Sequence, residues 1–224
     1  MERSAHKLRL TPFHDRLQTL LSHEVHISSG STRAEYEDVF SNRVRKVLVE
    51  TPYSELIIEA RSRVELKDTD PLGYRPLRER STLPLVWMPW QRNMLQPYLL
   101  PPELPETQLE ELVEYAMSFA RRNDFDLLDT LLDMNFTIFK EYRYLQGSTT
   151  LATTPFDVYS ARHGVCQDFA NVFICLSRLL GVPARYTCGY VYTGPKHANQ
   201  AQSEASHAWV QVYLPEVGWK GFDP

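Results

Sequence analysis

The chain has 224 residues, 43% hydrophobic and 23% charged, an ordinary globular make-up that fills one large domain or two small ones, and two is the expectation. A formal net charge of −4 gives no electrostatic reason to expect nucleic acid or an anionic membrane as a partner. No run approaches the roughly 20 apolar residues of a membrane span, MERSAHKLRL lacks a secretory apolar region, and the three cysteines, Cys166, Cys175 and Cys188, are too few for a disulfide framework, so the expected location is the reducing cytoplasm.

Residues 1–70 carry short alternating runs rich in β-branched and aromatic residues: HEVHIS, AEYEDVF, RVRKVLVE and ELIIEARSRVEL, punctuated by SSGS, SN and TPYS. This predicts a small antiparallel β domain, with ELIIEARSRVEL as its central strand. Residues 71–105 hold eight of the fifteen prolines together with Trp87, Trp90 and Tyr98. Proline lacks the backbone donor that helix and sheet require, so the expectation is an ordered connector without regular helix, its aromatics packed on a domain.

Residues 106–224 form the third part. Leu109, Leu112, Val113, Ala116, Phe119 and Ala120 follow helical spacing, with acids early and Arg121 and Arg122 late, as the helix dipole favours. A second helix is expected from about Asp124 to Tyr142, burying Leu127, Leu128, Leu131, Leu132 and Phe139. A short third one starts at Thr154-Pro155-Phe156-Asp157, where threonine caps, proline takes the first position and aspartate reaches back. The fourth begins at Cys166 and ends before Gly181 and Pro183, with Phe169, Ala170, Phe173, Ile174, Ser177 and Leu180 on the side of Cys166. ARYTCGYVYTG, HAWVQVYL and WKGFDP then read as three strands, the last two a hairpin about residues 215–218. The class is α+β.

A cysteine in the first turn of a helix has free backbone N–H groups and the dipole on the side of its thiolate. A nucleophilic thiol also needs a base, and the base needs a third group to orient it. The hairpin carries His207 at the head of one strand and Asp223 at the end of the next, within a few positions of lying opposite. A bulge at Gly218 would shift the register by one and turn Asp223 to the other face. Cys166, His207 and Asp223 are the candidate catalytic set, and the Cys166 N–H is a candidate oxyanion donor.

HGVCQDFANVFICLSRLLGVPARYTCGY followed by SHAWVQVYLPEVGWKGFDP resembles the core of the bacterial transglutaminase-like superfamily, over about residues 150–224. LRLTPFHDRLQTLL and EDVFSNRVRKVLVETPYSELIIEARSRVEL resemble the β-rich region that often precedes that core. The resemblance implies a papain-like core of helices packed on an antiparallel sheet, with Cys166 as nucleophile, His207 as general base and acid, and Asp223 as orienting carboxylate. It departs at Asn171, where a histidine is expected, and family members continue past the Asp-Pro with further strands, so this core reads as truncated.

Other residues divide between structural and functional readings. Asp168 reads as a carboxylate bonding free N–H groups of the first turn. Gln167 is a candidate substrate-facing residue. Trp209, two positions beyond His207 on its strand, either walls the site or fills the core. Cys175 and Cys188 read as packing residues, His163 as a solvent-facing loop residue, and His197 as solvated in the loop PKHANQAQSEAS, a candidate access flap by position. No metal site is expected, since there is no C-x-x-C and His163 with Cys166 is a single weak pair; no cofactor is implied. The leading expectation is a thiol enzyme that forms a thioester from an amide of a protein or peptide substrate, with hydrolysis favoured over amine transfer because water needs no second site. The rival is a non-enzymatic interaction module built on the truncated core, its exposed sheet edge pairing with another chain.

Overall fold

The computed structural model describes residues 3–15, 17–67, 80–190 and 206–224. The chain divides into two compact units, 1–70 and 71–224. In the first, β1 (Ser4–Leu8), β4 (Arg43–Val49) and β3 (Ser31–Glu37) form an antiparallel sheet in the order β1-β4-β3, while β2 (Gln18–Ile27) pairs with β5 (Ile58–Leu66). The central strand is therefore β4, which buries Val44, Val47 and Val49, and not ELIIEARSRVEL. Alternation explains the correction. Glu59, Arg61, Arg63 and Glu65 share one face of β5, and a charged face cannot be enclosed on both sides. Gly30 links β2 to β3 at a φ of +104°, where a Cβ would lie 2.9 Å from the Leu48 carbonyl oxygen, so only glycine fits.

The second unit opens with a helix in the proline-rich segment, contrary to expectation: α1 (Pro89–Leu99). Pro89 stands in its first turn, where no intrahelical donor is needed, and the Gln91 side chain accepts from the Met88 N–H at 3.0 Å. Only Pro97 breaks the ladder, and it does so in the last turn. Two of the three aromatics pack: Tyr98 lies edge-on to Trp219 with ring centres 4.9 Å apart, and the Trp87 indole donates to the Gly181 carbonyl at 3.3 Å. Trp90 is exposed.

Next come α2 (Glu106–Arg122) and α3 (Leu127–Glu141). The first is as its spacing predicts, with Leu112, Ala116, Phe119 and Ala120 buried. The second is rotated from expectation. Its buried stripe is Leu127, Leu131, Met134 and Ile138 with two threonines, while Leu132, Phe136 and Phe139 are exposed. The helix carries two apolar stripes at the same period; of the residues expected, Leu127 and Leu131 are buried and Leu128 is partly buried against the core. After α3, β6 (Arg143–Tyr144) pairs in parallel with β7 (His163–Gly164), on either side of α4 (Pro155–Ala161). The expected cap of α4 is present: Thr154 Oγ1 accepts from the Asp157 N–H, and Asp157 Oδ2 accepts from the Thr154 N–H at 2.9 Å.

The core lies between the helices and the sheet β10-β9-β8. In α5 (Cys166–Leu179), Asp168 to Ser177 are buried at every position but Asn171, as a helix enclosed on most sides requires. The sheet contributes Ala184 from β8 (Ala184–Gly189), Val210, Val212 and Leu214 from β9 (His207–Leu214), and Phe222 from β10 (Gly218–Phe222). Phe222 stacks on Phe173 of α5 with ring centres 5.5 Å apart.

Candidate active site

Cys166 is the first residue of α5 and is half-buried. Its N–H and that of Gln167 are the first two of the helix and have no intrahelical acceptor. The third residue holds the turn in place: Asp168 Oδ2 accepts from the Val165 N–H at 2.8 Å and from the Thr149 hydroxyl at 2.7 Å. Asp168 is buried, and Gly164 leaves room for it, since a Cβ there would stand 2.8 Å from the Asp168 Cβ. The aspartate thus fastens the helix head, as the sequence reading has it.

Side chains alternate along β9. Ala208, Val210, Val212 and Leu214 point into the core, so His207, Trp209, Gln211 and Tyr213 stand on the opposite face. The hairpin runs without a bulge from Gly218 opposite Leu214 to Phe222 opposite Val210. Phe222 is buried, so the next residue, Asp223, turns to the face of His207. Both Asp223 carboxylate oxygens lie 2.9 Å from His207 Nε2. A carboxylate only accepts, so Nε2 carries a hydrogen, and the lone pair of the neutral ring sits on Nδ1. Trp209 is not a core residue; its ring stacks beside His207, centres 6.1 Å apart and 25° from parallel. It lies across Gly189, the residue opposite His207, where a Cβ would come within 2.9 Å of the indole.

Cys166 heads a helix on the core side of this sheet, whereas the histidine and aspartate stand on its outer face. Among the described residues no hydrogen bond joins the sulfur to the ring. His207 and Asp223 stand at the end of the sheet where Gly189 closes β8. Burial above all, with smaller contributions from Cys188, Cys166 and Asp168, pushes the Tyr186 phenol on β8 up to about 12. One position past Cys188, Gly189 pairs with His207.

A model of the bacterial transglutaminase-like N-terminal region matches residues 1–65, and one of the transglutaminase-like superfamily matches residues 119–224. An uncharacterized protein of Mycobacterium tuberculosis is 30% identical over 232 residues, covering 96% of this chain and 70% of the relative. The chain belongs to the transglutaminase-like superfamily. A protein-glutamine gamma-glutamyltransferase of Pseudomonas aeruginosa is 32% identical over 71 residues, which is 30% of this chain and 10% of that protein. The crystal structure of a Cytophaga hutchinsonii protein described as a "putative cysteine protease" superposes with a TM-score of 0.78 at 22% identity, over 100% of this chain and 71% of that one; it shares the fold.

The superfamily match begins at residue 119, inside α2, well upstream of the motif-bearing stretch from about residue 150. The other single residues of this transglutaminase-like chain fall as follows. Gln167 and Asn171 are exposed on α5. Cys175 is buried, as expected, and burial pushes its thiol up to about 12, but Cys188 is exposed on β8 and does not pack. His163 is half-buried within the β6–β7 pair, its Nδ1 3.0 Å from the Ala161 carbonyl oxygen, and is not a free loop residue. His197 and its loop lie outside the described residues. Among those described, no three His, Cys, Asp or Glu side chains gather as metal ligands, and no helix is long and apolar enough to cross a membrane. A groove of about 560 Å3 lined by His23, Arg43 and Arg45 among others lies in the N-terminal unit and holds no thiol. Sequence reasoning missed Tyr186, which shares the face of buried Ala184 on β8 but is 44% exposed. It also missed Arg162 and the tyrosines around it, which only the packing of three helices brings together.

Proposed function

We propose that the chain is a thiol enzyme that acts on amides of proteins or peptides, with Cys166 as nucleophile, His207 as base and acid, and Asp223 as the group that orients the ring. The observation that carries the reading is the pair of 2.9 Å contacts from His207 Nε2 to Asp223, because they leave Nδ1 as the ring nitrogen able to exchange a proton with a thiol. The position of Cys166 at the head of α5 supports it from the other side, with two free N–H groups where an oxyanion would form.

In the reaction proposed, the Cys166 sulfur attacks the carbonyl carbon while its proton resides on Nδ1. The C–N bond then breaks, the leaving amine takes that proton, and the acyl group remains on sulfur as a thioester. Water attacks next, gives a proton to Nδ1, and the C–S bond breaks to return the thiol and release the acid. Hydrolysis is the favoured outcome, since an amine acceptor requires a second site and the exclusion of water. Trp209, stacked beside the ring, and exposed Gln167 are the proposed substrate contacts. The cytoplasm is the proposed location, in keeping with three free cysteines, one of which must stay reduced to act.

Alkylation by iodoacetamide at neutral pH tests the proposal. Cys166 should react about tenfold or more ahead of exposed Cys188, with Cys175 protected by burial, and His207→Ala should bring Cys166 down to the rate of Cys188. Equal rates for Cys166 and Cys188 in the unaltered chain would refute the reading. A glutaminyl peptide supplied with methylamine then separates the outcomes: acid product and ammonia are expected, and a predominant methylamide would move the assignment to amine transfer.

A further inference from the structure

Arg162 ends α4 in the left-handed region, at φ 55° and ψ 31°. That conformation crowds the Cβ of any residue other than glycine, and glycine is its usual occupant at a helix end. The side chain accounts for the exception. Its Cζ lies 4.8 Å from the ring centre of Tyr115, 4.8 Å from that of Tyr142 and 4.7 Å from that of Tyr159. Nη1 donates to the Tyr115 and Tyr142 hydroxyls at 2.7 Å each. Among the described residues no carboxylate pairs with this half-buried cation, and three aromatic faces and two phenol oxygens take that place.

The cage ties the C-cap of α4 to two other helices and to its own: Tyr115 lies in the middle of α2, Tyr142 caps the end of α3 and Tyr159 belongs to α4. From the same residue the backbone enters the segment that delivers the thiol. The Arg162 carbonyl accepts from the Arg143 N–H at 2.8 Å, His163 and Gly164 pair with β6, and Val165 and Cys166 begin α5. Tyr142 also meets Phe169 edge-on, with ring centres 5.9 Å apart, one turn beyond Cys166. Both ends of the short path to the thiol are therefore tied to one guanidinium.

We propose that Arg162 is a positioning residue for the thiol: clamped by Tyr115, Tyr142 and Tyr159, it fixes the turn from residue 162 to residue 165 and so the direction of the Cys166 side chain and N–H. The inference rests on the thiol-enzyme reading. A planar cation with a rigid donor fork is what such a cage accepts, and lysine offers neither the plane nor the fork.

The test is Arg162→Gly, which relieves the left-handed turn while emptying the cage. In that variant the alkylation rate of Cys166 should fall about tenfold, because small displacements of a reacting group are costly, while Cys188 in the same molecule reacts as before. Arg162→Lys, which keeps the charge, should fall about threefold, and a wild-type rate in that variant would overturn the role of the fork. If Arg162→Gly does not fold, the double variant Tyr115→Phe and Tyr142→Phe keeps all three rings and removes both acceptors, and it should still slow Cys166 by about threefold relative to Cys188. A Cys166 preference that survives both changes intact overturns this inference alone. The absence of any preference in the unaltered chain overturns the thiol-enzyme reading, and this inference with it.

Discussion

Replacing Asp223 by alanine measures what the orienting carboxylate contributes, and its exposure sets the expected size. The Asp223 side chain is 60% exposed and the His207 side chain 28% exposed. A hydrogen bond to a carboxylate is worth about 1.5–3 kcal/mol, and exposure of this kind lowers it to about 1–2 kcal/mol. That amount corresponds to a loss of about 5- to 30-fold in rate. A fully enclosed aspartate in a comparable triad is worth about 10^4, so the two situations are well separated. The assay is the acylation of Cys166 by an activated ester under single-turnover conditions, with circular dichroism to establish the fold. Asp223→Asn should fall between alanine and the unaltered chain, because its amide oxygen still accepts from Nε2–H while the charge is gone. A loss beyond about 10^3 would mean that water does not reach the pair as the exposure requires. No loss at all would mean that the ring needs no carboxylate to hold it. Either result refutes the reasoning.

Further expectations follow from packing and burial. On α3, Ile138→Ala should cost about 2–5 kcal/mol in urea denaturation and Phe139→Ala less than about 0.5 kcal/mol; the reverse order would restore the stripe expected from sequence. Asp168→Ala strands the Val165 N–H and the Thr149 hydroxyl, and should cost about 1–3 kcal/mol in thermal or urea unfolding, with Thr149→Ala costing less. Burial pushes the Cys175 thiol from 9.0 up to about 12, so the unfolded chain loses that proton first as pH rises. The stabilisation is complete below pH 9 and is lost between pH 9 and about 12; Cys175→Ala should flatten the decline in that window, and identical curves for the two proteins would contradict it.

What could be read from the sequence was local or paired by a short turn. The cap of α4 is written in four adjacent residues, and the α2 stripe has a single phase, so neither needs knowledge of a partner. The α3 phase failed for the opposite reason: Leu127, Leu131, Met134 and Ile138 compete with Leu128, Leu132, Phe136 and Phe139 at the same period, and only the elements packed against the helix choose between them. The α1 helix failed because proline was weighed by number, although Pro89 in a first turn and Pro97 in a last one remove few hydrogen bonds. Cys188 lies on the face of Ala184 and opposite buried Ala208, but beyond the point where the core covers that face, so alternation alone does not reveal its exposure.

The candidate site shows the same division within a few residues. Motif order singled out Cys166, His207 and Asp223, but whether ring and carboxylate could meet depended on one register, which an extra residue at Gly218 would have reversed. Burial of Phe222 against Phe173 decides it: with that phenylalanine committed to the core, strict alternation leaves Asp223 only the face of His207. The core on one side of the sheet thereby sets the geometry of the pair on the other. A change of Phe222 to a polar residue should accordingly disturb the site as well as stability: Phe222→Ser would lose about 3–5 kcal/mol as a core truncation. In whatever fraction stays folded it should also lower the rate of Cys166 acylation relative to Cys188 alkylation. A folded fraction with an undiminished ratio would show that the hairpin aims Asp223 without its core anchor.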